Sequence, residues 1–259
     1  MLLLLRTGDG TWEALLKPGK RVKAGTRIEF SGSGLLITAE VIGMKENGIK
    51  ILKFSDETAI PKIGKVALPP YIHHALADSG RYQTVYARNE GSVAAPTAGL
   101  HFTPELLQKI KEKSVVCVPV TLHIGLDTFQ PVHEEDPHTH IIHREFSTMG
   151  EETGSQISKA KAEGRRVICV GTTSVRTIEH VAKLGVPLQP FSGWIDTFIL
   201  PGYKFLIVDA LLTNFHLPRT TLLMLVSAFA GKELIDKSYS EAIKEKYRFY
   251  SFGDAMLIC

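Results

Sequence analysis

Arg166-Val-Ile-Cys-Val-Gly-Thr-Thr-Ser-Val-Arg-Thr177 decides the fold. Its first five residues are almost wholly apolar and β-branched, the pattern of a strand buried on both faces. Gly171 breaks the run. The small hydroxyl residues after it suit the first turn of a helix, which continues over Thr177–Leu184. A buried strand running through a glycine turn into a helix is the unit of an α/β fold. Ligands in such folds collect beyond the carboxyl ends of the strands. Thr172, Thr173 and Arg176 therefore form a candidate grip for a carboxylate or phosphate. The same residues also suit a plain helix cap with Arg176 in an ion pair.

The alternation of strands and helices extends in both directions from this unit. Thr103-Pro104 reads as an N-cap with proline at the first helical position, opening a helix over Glu105–Lys113. Val115–Val120 reads as a buried strand, 150–163 as a polar helix, and Phe205–Val208 as a strand. Thr221–Ala230 reads as an apolar core helix and Glu241–Tyr247 as part of a last one. A mostly parallel sheet or barrel with helical cover is expected. The first sixty residues differ. Thr11–Leu16, Leu35–Ile42 and Gly48–Phe54 are short β-rich runs, with a turn at Lys17-Pro-Gly19 and a hairpin signal at Asn47-Gly48. Leu2–Leu5 looks like the partner of Trp12–Leu16. The fold class is thus α/β, with a small antiparallel β-barrel domain over 1–66 and a larger, barrel-like domain over 67–259.

The 259 residues are 44% hydrophobic and 22% charged, as in ordinary globular proteins, which excludes collagen, coiled-coil and disordered classes. The longest apolar run has nine residues, against the ~20 of a membrane span. Three scattered cysteines (Cys117, Cys169, Cys259) make neither a disulfide framework nor a zinc pattern and point to a reducing, cytoplasmic setting. Residues 1–69 hold eleven Lys and Arg against seven Asp and Glu, whereas the remainder holds nineteen against twenty. Lys17, Lys20, Arg21, Lys23 and Arg27 crowd eleven positions, either a solvated loop or a landing surface for phosphates.

Four further clusters carry possible chemistry. Thr97, Gly99 and His101 lie in a loop entering a helix, a place suited to an anionic ligand. His133, His138, His140 and His143 precede Glu145; they suit proton transfer or, weakly, zinc, and equally a surface cluster. Asn214 and His216 are placed in a loop before the apolar helix, where asparagine suits a base edge or ribose. Tyr247–Met256 interleaves aromatics with Arg248 and ends near Asp254, a base-stacking segment or a core strand. Rossmann, Walker and nucleophile-elbow glycine motifs are missing from the sequence.

Leu68-Pro-Pro-Tyr-Ile72, Arg81–Ala87, Val93–Thr103, Gly171–Thr177, Pro201-Gly-Tyr203, Thr213–Pro218 and Tyr247–Leu257, in this order, resemble the S-adenosylmethionine:tRNA ribosyltransferase-isomerase family of queuosine biosynthesis. The resemblance implies transfer and isomerisation of the ribosyl group of S-adenosylmethionine onto 7-aminomethyl-7-deazaguanine at the tRNA wobble position. The products are epoxyqueuosine-tRNA, adenine and methionine. It implies a distorted α/β barrel-like domain with an inserted small β-barrel, no cofactor or metal, and S-adenosylmethionine as a consumed substrate. The implied partner is a tRNA anticodon loop, without a membrane, for a monomer or weak oligomer. Against the family pattern the chain begins inside the β domain, so an upstream segment is expected to be missing. Asp127 and Gln130 stand where Gly and Arg are usual.

That reaction needs a base beside the sulfonium, a carboxylate clamp and an unprotonated amine. His101, His143 and His216 are candidates for proton transfer, with Glu145 orienting one imidazole. Arg176 with Thr172 and Thr173 is the candidate clamp, Asn214 the adenine or ribose contact, and Asp254 the group facing sulfonium or amine. A tRNA-binding relic without catalysis and a metal-dependent hydrolase on the histidine cluster are the alternatives.

Overall fold

The structure, a computed structural model, describes residues 1–45, 48–69, 71–72, 76, 78–123, 134, 136–140, 142 and 144–259. They fall into two compact units. One contains Met1–Ser79 and Glu90–Ala94, the other Gly80–Asn89 and Ala95–Cys259.

The first unit is an antiparallel sheet of β1 (Leu2–Gly8), β2 (Thr11–Leu15), β3 (Arg27–Gly32), β4 (Leu35–Met44) and β5 (Lys50–Phe54). The order is β1-β2-β5-β4-β3. Period-2 alternation sets which face is buried: Ile37, Ala39 and Val41 of β4 and Leu52 and Phe54 of β5 point inward with Ala14. The expected pairing of the first leucines is present, with Leu2 opposite Leu15. The β4–β5 hairpin forms, although Asn47 of its turn signal lies outside the described residues. β1 and β3 are the two ends of the order, so among the described residues the sheet is open rather than a closed barrel. A short helix, α1 (Ile60–Ile63), packs on β3 where Gly32 leaves room for Ile63.

The second unit holds two three-stranded sheets. β6 (Thr121–His123), β7 (Glu145–Met149) and β9 (Phe191–Ile195) pair antiparallel. β8 (Ile168–Val170) pairs in parallel with β10 (Ala210–Asn214), which pairs antiparallel with β11 (Ala255–Ile258). Helices α2 (Pro104–Glu112), α3 (Glu151–Ala162), α4 (Thr172–Leu184), α5 (Thr221–Ala230) and α6 (Lys232–Lys244) accompany them. The Thr103 and Thr220 hydroxyls cap α2 and α5 by accepting from Leu106 N and Leu223 N. The core gathers Val175, Ile178 and Val181 of α4, Leu211 of β10 and Leu225 and Val226 of α5.

Three expectations are corrected. The sheet is not mostly parallel, since β8–β10 is the single parallel pair among the described residues. Val115–Val120 is not a buried strand: it enters no ladder among the described residues, and Val115 and Val116 are exposed. Phe205–Val208 is not a strand either, for a clear reason. The fully buried carboxylate of Glu179 in α4 accepts from Leu206 N, Ile207 N, Val208 N and the Tyr203 hydroxyl. Those amides are taken, so the ladder begins two residues later at Ala210.

Candidate active site

The Gly171 turn brings the sequence motifs of the second unit together. Gly171 has φ +88°, a left-handed value that favours glycine, and its N–H donates to Leu212 O in β10. A Cβ there would lie 3.7 Å from Ala98 Cβ, so the start of α4 abuts the 3-10 turn Thr97–His101. That turn in turn meets the end of β10. Thr97 Oγ1 donates to Asn214 Oδ1 at 3.4 Å, and Asn214 Nδ2 donates to His101 Nε2 at 3.0 Å and to Tyr250 O at 3.1 Å.

The asparagine is therefore the last residue of a strand, not a loop residue, and its amide is engaged on both sides. A donor on Nε2 fixes the His101 tautomer with the proton on Nδ1. Burial holds the ring below the usual histidine range; Asp254 opposes this and Arg248 reinforces it. Asp254 is gripped by Arg248, whose backbone N and Nη2 each donate to it at 2.7 Å. These bonds hold its carboxyl below the usual range, so it stays ionised beside the histidine. Thr172 and Thr173 are buried in the first turn of α4, and neither hydroxyl makes a hydrogen bond among the described residues.

Other expected site residues have different surroundings. Gly99 is dictated by packing: a Cβ would sit 2.6 Å from Thr84 Cγ2 and closer still to the Tyr86 hydroxyl. Arg176 is not an open clamp. Its Nη1 donates to Glu145 Oε2 at 2.6 Å and its Nε to Thr197 O at 3.0 Å, with side chains 7% and 2% exposed. Glu145 thus pairs with a guanidinium, and His143, its expected imidazole partner, lies outside the described residues, as do His133, Asp127 and Gln130.

His216 is separated from His101. Its Nε2 bonds Thr213 Oγ1 at 3.1 Å, and successive strand residues Thr213 and Asn214 point to opposite faces. Burial pushes its ring down to about 4. His140 bonds Glu134, and no three of His, Cys, Asp and Glu gather as a metal site among the described residues. Tyr247–Met256 is mostly loop; only Ala255 and Met256 enter β11. Lys17, Lys20, Arg21, Lys23 and Arg27 are exposed in the first unit and make no ion pair among the described residues.

Sequence reasoning missed Glu179, Tyr239 and the Tyr250 carbonyl. Glu179 had a signal: it falls between Ile178 and Val181 on the apolar face of α4, where an acid needs donors. Tyr239, whose hydroxyl accepts from His216 N, and a backbone carbonyl carry none.

An α/β scaffold that places a neutral, asparagine-held histidine beside a helix entrance and an ionised carboxylate is equipped for proton transfer on a bound small molecule. The family model described as "Queuosine biosynthesis protein" matches residues 1–258. The S-adenosylmethionine:tRNA ribosyltransferase-isomerase of Dehalococcoides mccartyi (strain CBDB1) is 60% identical over 100% of this chain and 76% of the relative. The protein of the same name from Clostridioides difficile (strain 630) is 52% identical over 99% of this chain and 76% of its own length. The crystal structure of S-adenosylmethionine tRNA ribosyltransferase from Thermotoga maritima is similar at a TM-score of 0.53 and 38% identity, covering 99% of this chain and 73% of that one. The chain belongs to the queuosine biosynthesis protein family.

Proposed function

We propose that the chain acts as an S-adenosylmethionine:tRNA ribosyltransferase-isomerase. It moves the ribosyl group of S-adenosylmethionine onto the aminomethyl group of 7-aminomethyl-7-deazaguanine at the tRNA wobble position. Adenine and methionine leave, and epoxyqueuosine-tRNA is formed. The observation that carries the site assignment is the convergence of Thr97, His101 and Asn214 at the start of α4.

His101 is the proton-transfer group. Carbon next to a sulfonium is acidified by the positive charge, and a neutral imidazole is ready to accept its proton at Nε2 in place of the Asn214 donor. The ring is then an imidazolium, which ionised Asp254 stabilises. Asn214 positions the ring and holds its tautomer, rather than reading adenine. The start of α4, with its positive dipole end and the hydroxyls of Thr172 and Thr173, receives the methionine carboxylate. Arg176 supports this turn from behind through Glu145.

The exposed cations Lys17, Lys20, Arg21, Lys23 and Arg27 give RNA phosphates a landing surface. The enzyme works in the cytoplasm, as a monomer or weak oligomer, and consumes S-adenosylmethionine without a resident cofactor.

Incubating the chain with S-adenosylmethionine and tRNA carrying 7-aminomethyl-7-deazaguanine tests this reading. Free adenine should appear in step with ribosylated tRNA. RNA binding without adenine would turn the reading into that of a relic. Turnover abolished by a chelator would favour metal-dependent chemistry.

A further inference from the structure

Tyr247–Tyr250 is neither a strand nor core throughout. With α6 and the loop after β10 it lines an open hollow of about 550 Å³ whose walls include His216, Tyr239, Tyr247, Phe249 and Tyr250. Its aromatics form one connected set around buried Phe215. Ring centroids lie 4.9 Å away for Phe249, 5.3 Å for Tyr239 and 5.9 Å for Tyr247. Phe215 is core, but Tyr247 is 50% exposed at the rim. Tyr247 meets Phe215 edge-to-face, at 68° between the rings, and half of it stays in water, so aromatic surface is left open to a guest.

Charge at the edges narrows the guest. Arg219, next to lining residue Pro218, and Lys246, next to Tyr247, are exposed and make no ion pair among the described residues. Glu241 nearby is held by Lys244 and Asp254 by Arg248, while exposed Glu245 stands between Lys244 and Lys246. Cations beside an open aromatic wall suit a polyanion that presents flat bases along a charged backbone, as single-stranded RNA does. The hollow is linked to the proton-transfer group through Tyr250, which lines it and whose carbonyl accepts from Asn214.

We propose that this hollow stacks an unpaired base of the RNA anticodon loop on Tyr247, with Arg219 and Lys246 on the neighbouring phosphates. It holds the loop while another nucleotide reaches the His101 site. The inference rests on the proposed function, yet it has its own test.

The full chain is titrated with an anticodon stem-loop RNA and, separately, with S-adenosylmethionine, for wild type, Tyr247→Ala and Tyr247→Phe. Half-exposed Tyr247 is replaceable without unfolding, which circular dichroism checks. Losing one stacked base weakens RNA binding about 5- to 150-fold. Tyr247→Ala should show that loss, Tyr247→Phe should keep wild-type affinity through its π face, and S-adenosylmethionine affinity should not change. A 2-aminopurine in the loop should be quenched by wild type and not by Tyr247→Ala. If Tyr247→Ala binds RNA as wild type does, the stacking proposal is wrong. If it weakens S-adenosylmethionine instead, the hollow takes the nucleoside and the proposal is overturned. A wild-type chain that binds no RNA at all would sink the proposed function itself, a separate failure.

Discussion

Replacing Arg176 by methionine isolates the role of the buried ion pair. The substitution removes the 2.6 Å bond to Glu145 and the 3.0 Å bond to Thr197 O while keeping most of the side chain's volume. With Glu145 only 2% exposed, its carboxylate is left charged and short of its main cation in a place water barely reaches. Breaking such a pair costs about 3–5 kcal/mol. That is a large share of the ~5–15 kcal/mol that holds a domain together, and shifts Tm by about 6–20 °C for a unit of this size. Replacing both members, Arg176→Met with Glu145→Leu, removes the stranded charge and should cost less than the two single changes added, by at least about 1 kcal/mol. The assay is urea unfolding followed by fluorescence in a Trp12→Phe background, so that Trp194 in β9 reports the second unit alone. S-adenosylmethionine affinity of the folded variant is measured alongside. A single-variant cost below about 1 kcal/mol, or strictly additive costs, would refute the buried-pair argument. Unchanged stability with lost S-adenosylmethionine affinity would return Arg176 to the clamp.

The His216 ring, pushed down to about 4 from an ordinary 6.5, binds its proton more readily in the unfolded chain. Its contribution is complete above pH 6.5 and is lost as pH falls toward 4, amounting to about 3 kcal/mol; His216→Phe should flatten that part of the stability-versus-pH curve. Burial also depresses His101, so the acidic limb of the pH–rate profile should lie below 6.5. Asn214→Asp, which sets a carboxylate against the ring, should move that limb upward. Gly99→Ala drives a methyl group into Thr84 and the Tyr86 hydroxyl and should cost about 1–3 kcal/mol in thermal or urea unfolding. RNA binding should weaken steeply with salt. Replacing Lys17, Lys20, Arg21, Lys23 and Arg27 should lower the log–log slope by up to ~0.7–0.9 for each phosphate no longer neutralised; an unchanged slope rejects the landing surface.

Much of the scaffold follows from short-range pattern. Alternation along Leu35–Met44 and Lys50–Phe54 marks the strands and their inward faces, and Thr103-Pro104 marks the start of α2. The bounds of α5, Thr221–Ala230, match the apolar run read from the sequence. These signals sit within a few residues of what they specify, because strand pleat, helix pitch and capping are local geometry. The three segments that meet at the candidate site were also visible, as small and titratable residues at turns.

Partner choice across long stretches of chain was not visible. Phe205–Val208 has the composition of a strand, yet the carboxylate of Glu179, some thirty residues earlier, takes its amides. Arg176 looks like a ligand clamp at a helix start until Glu145 is found 31 residues upstream and beside it. Asn214 reads as a base contact until Thr97, His101 and the Tyr250 carbonyl occupy its amide. The sequence by itself determined the elements with a strong local pattern, such as β4, β5, α2 and α5, and which turns carry reactive side chains. Only the tertiary structure decided which of those side chains remain open to a ligand. A buried donor or acceptor bonds to whatever the packing of distant elements brings within about 3 Å, and no local pattern encodes that distance.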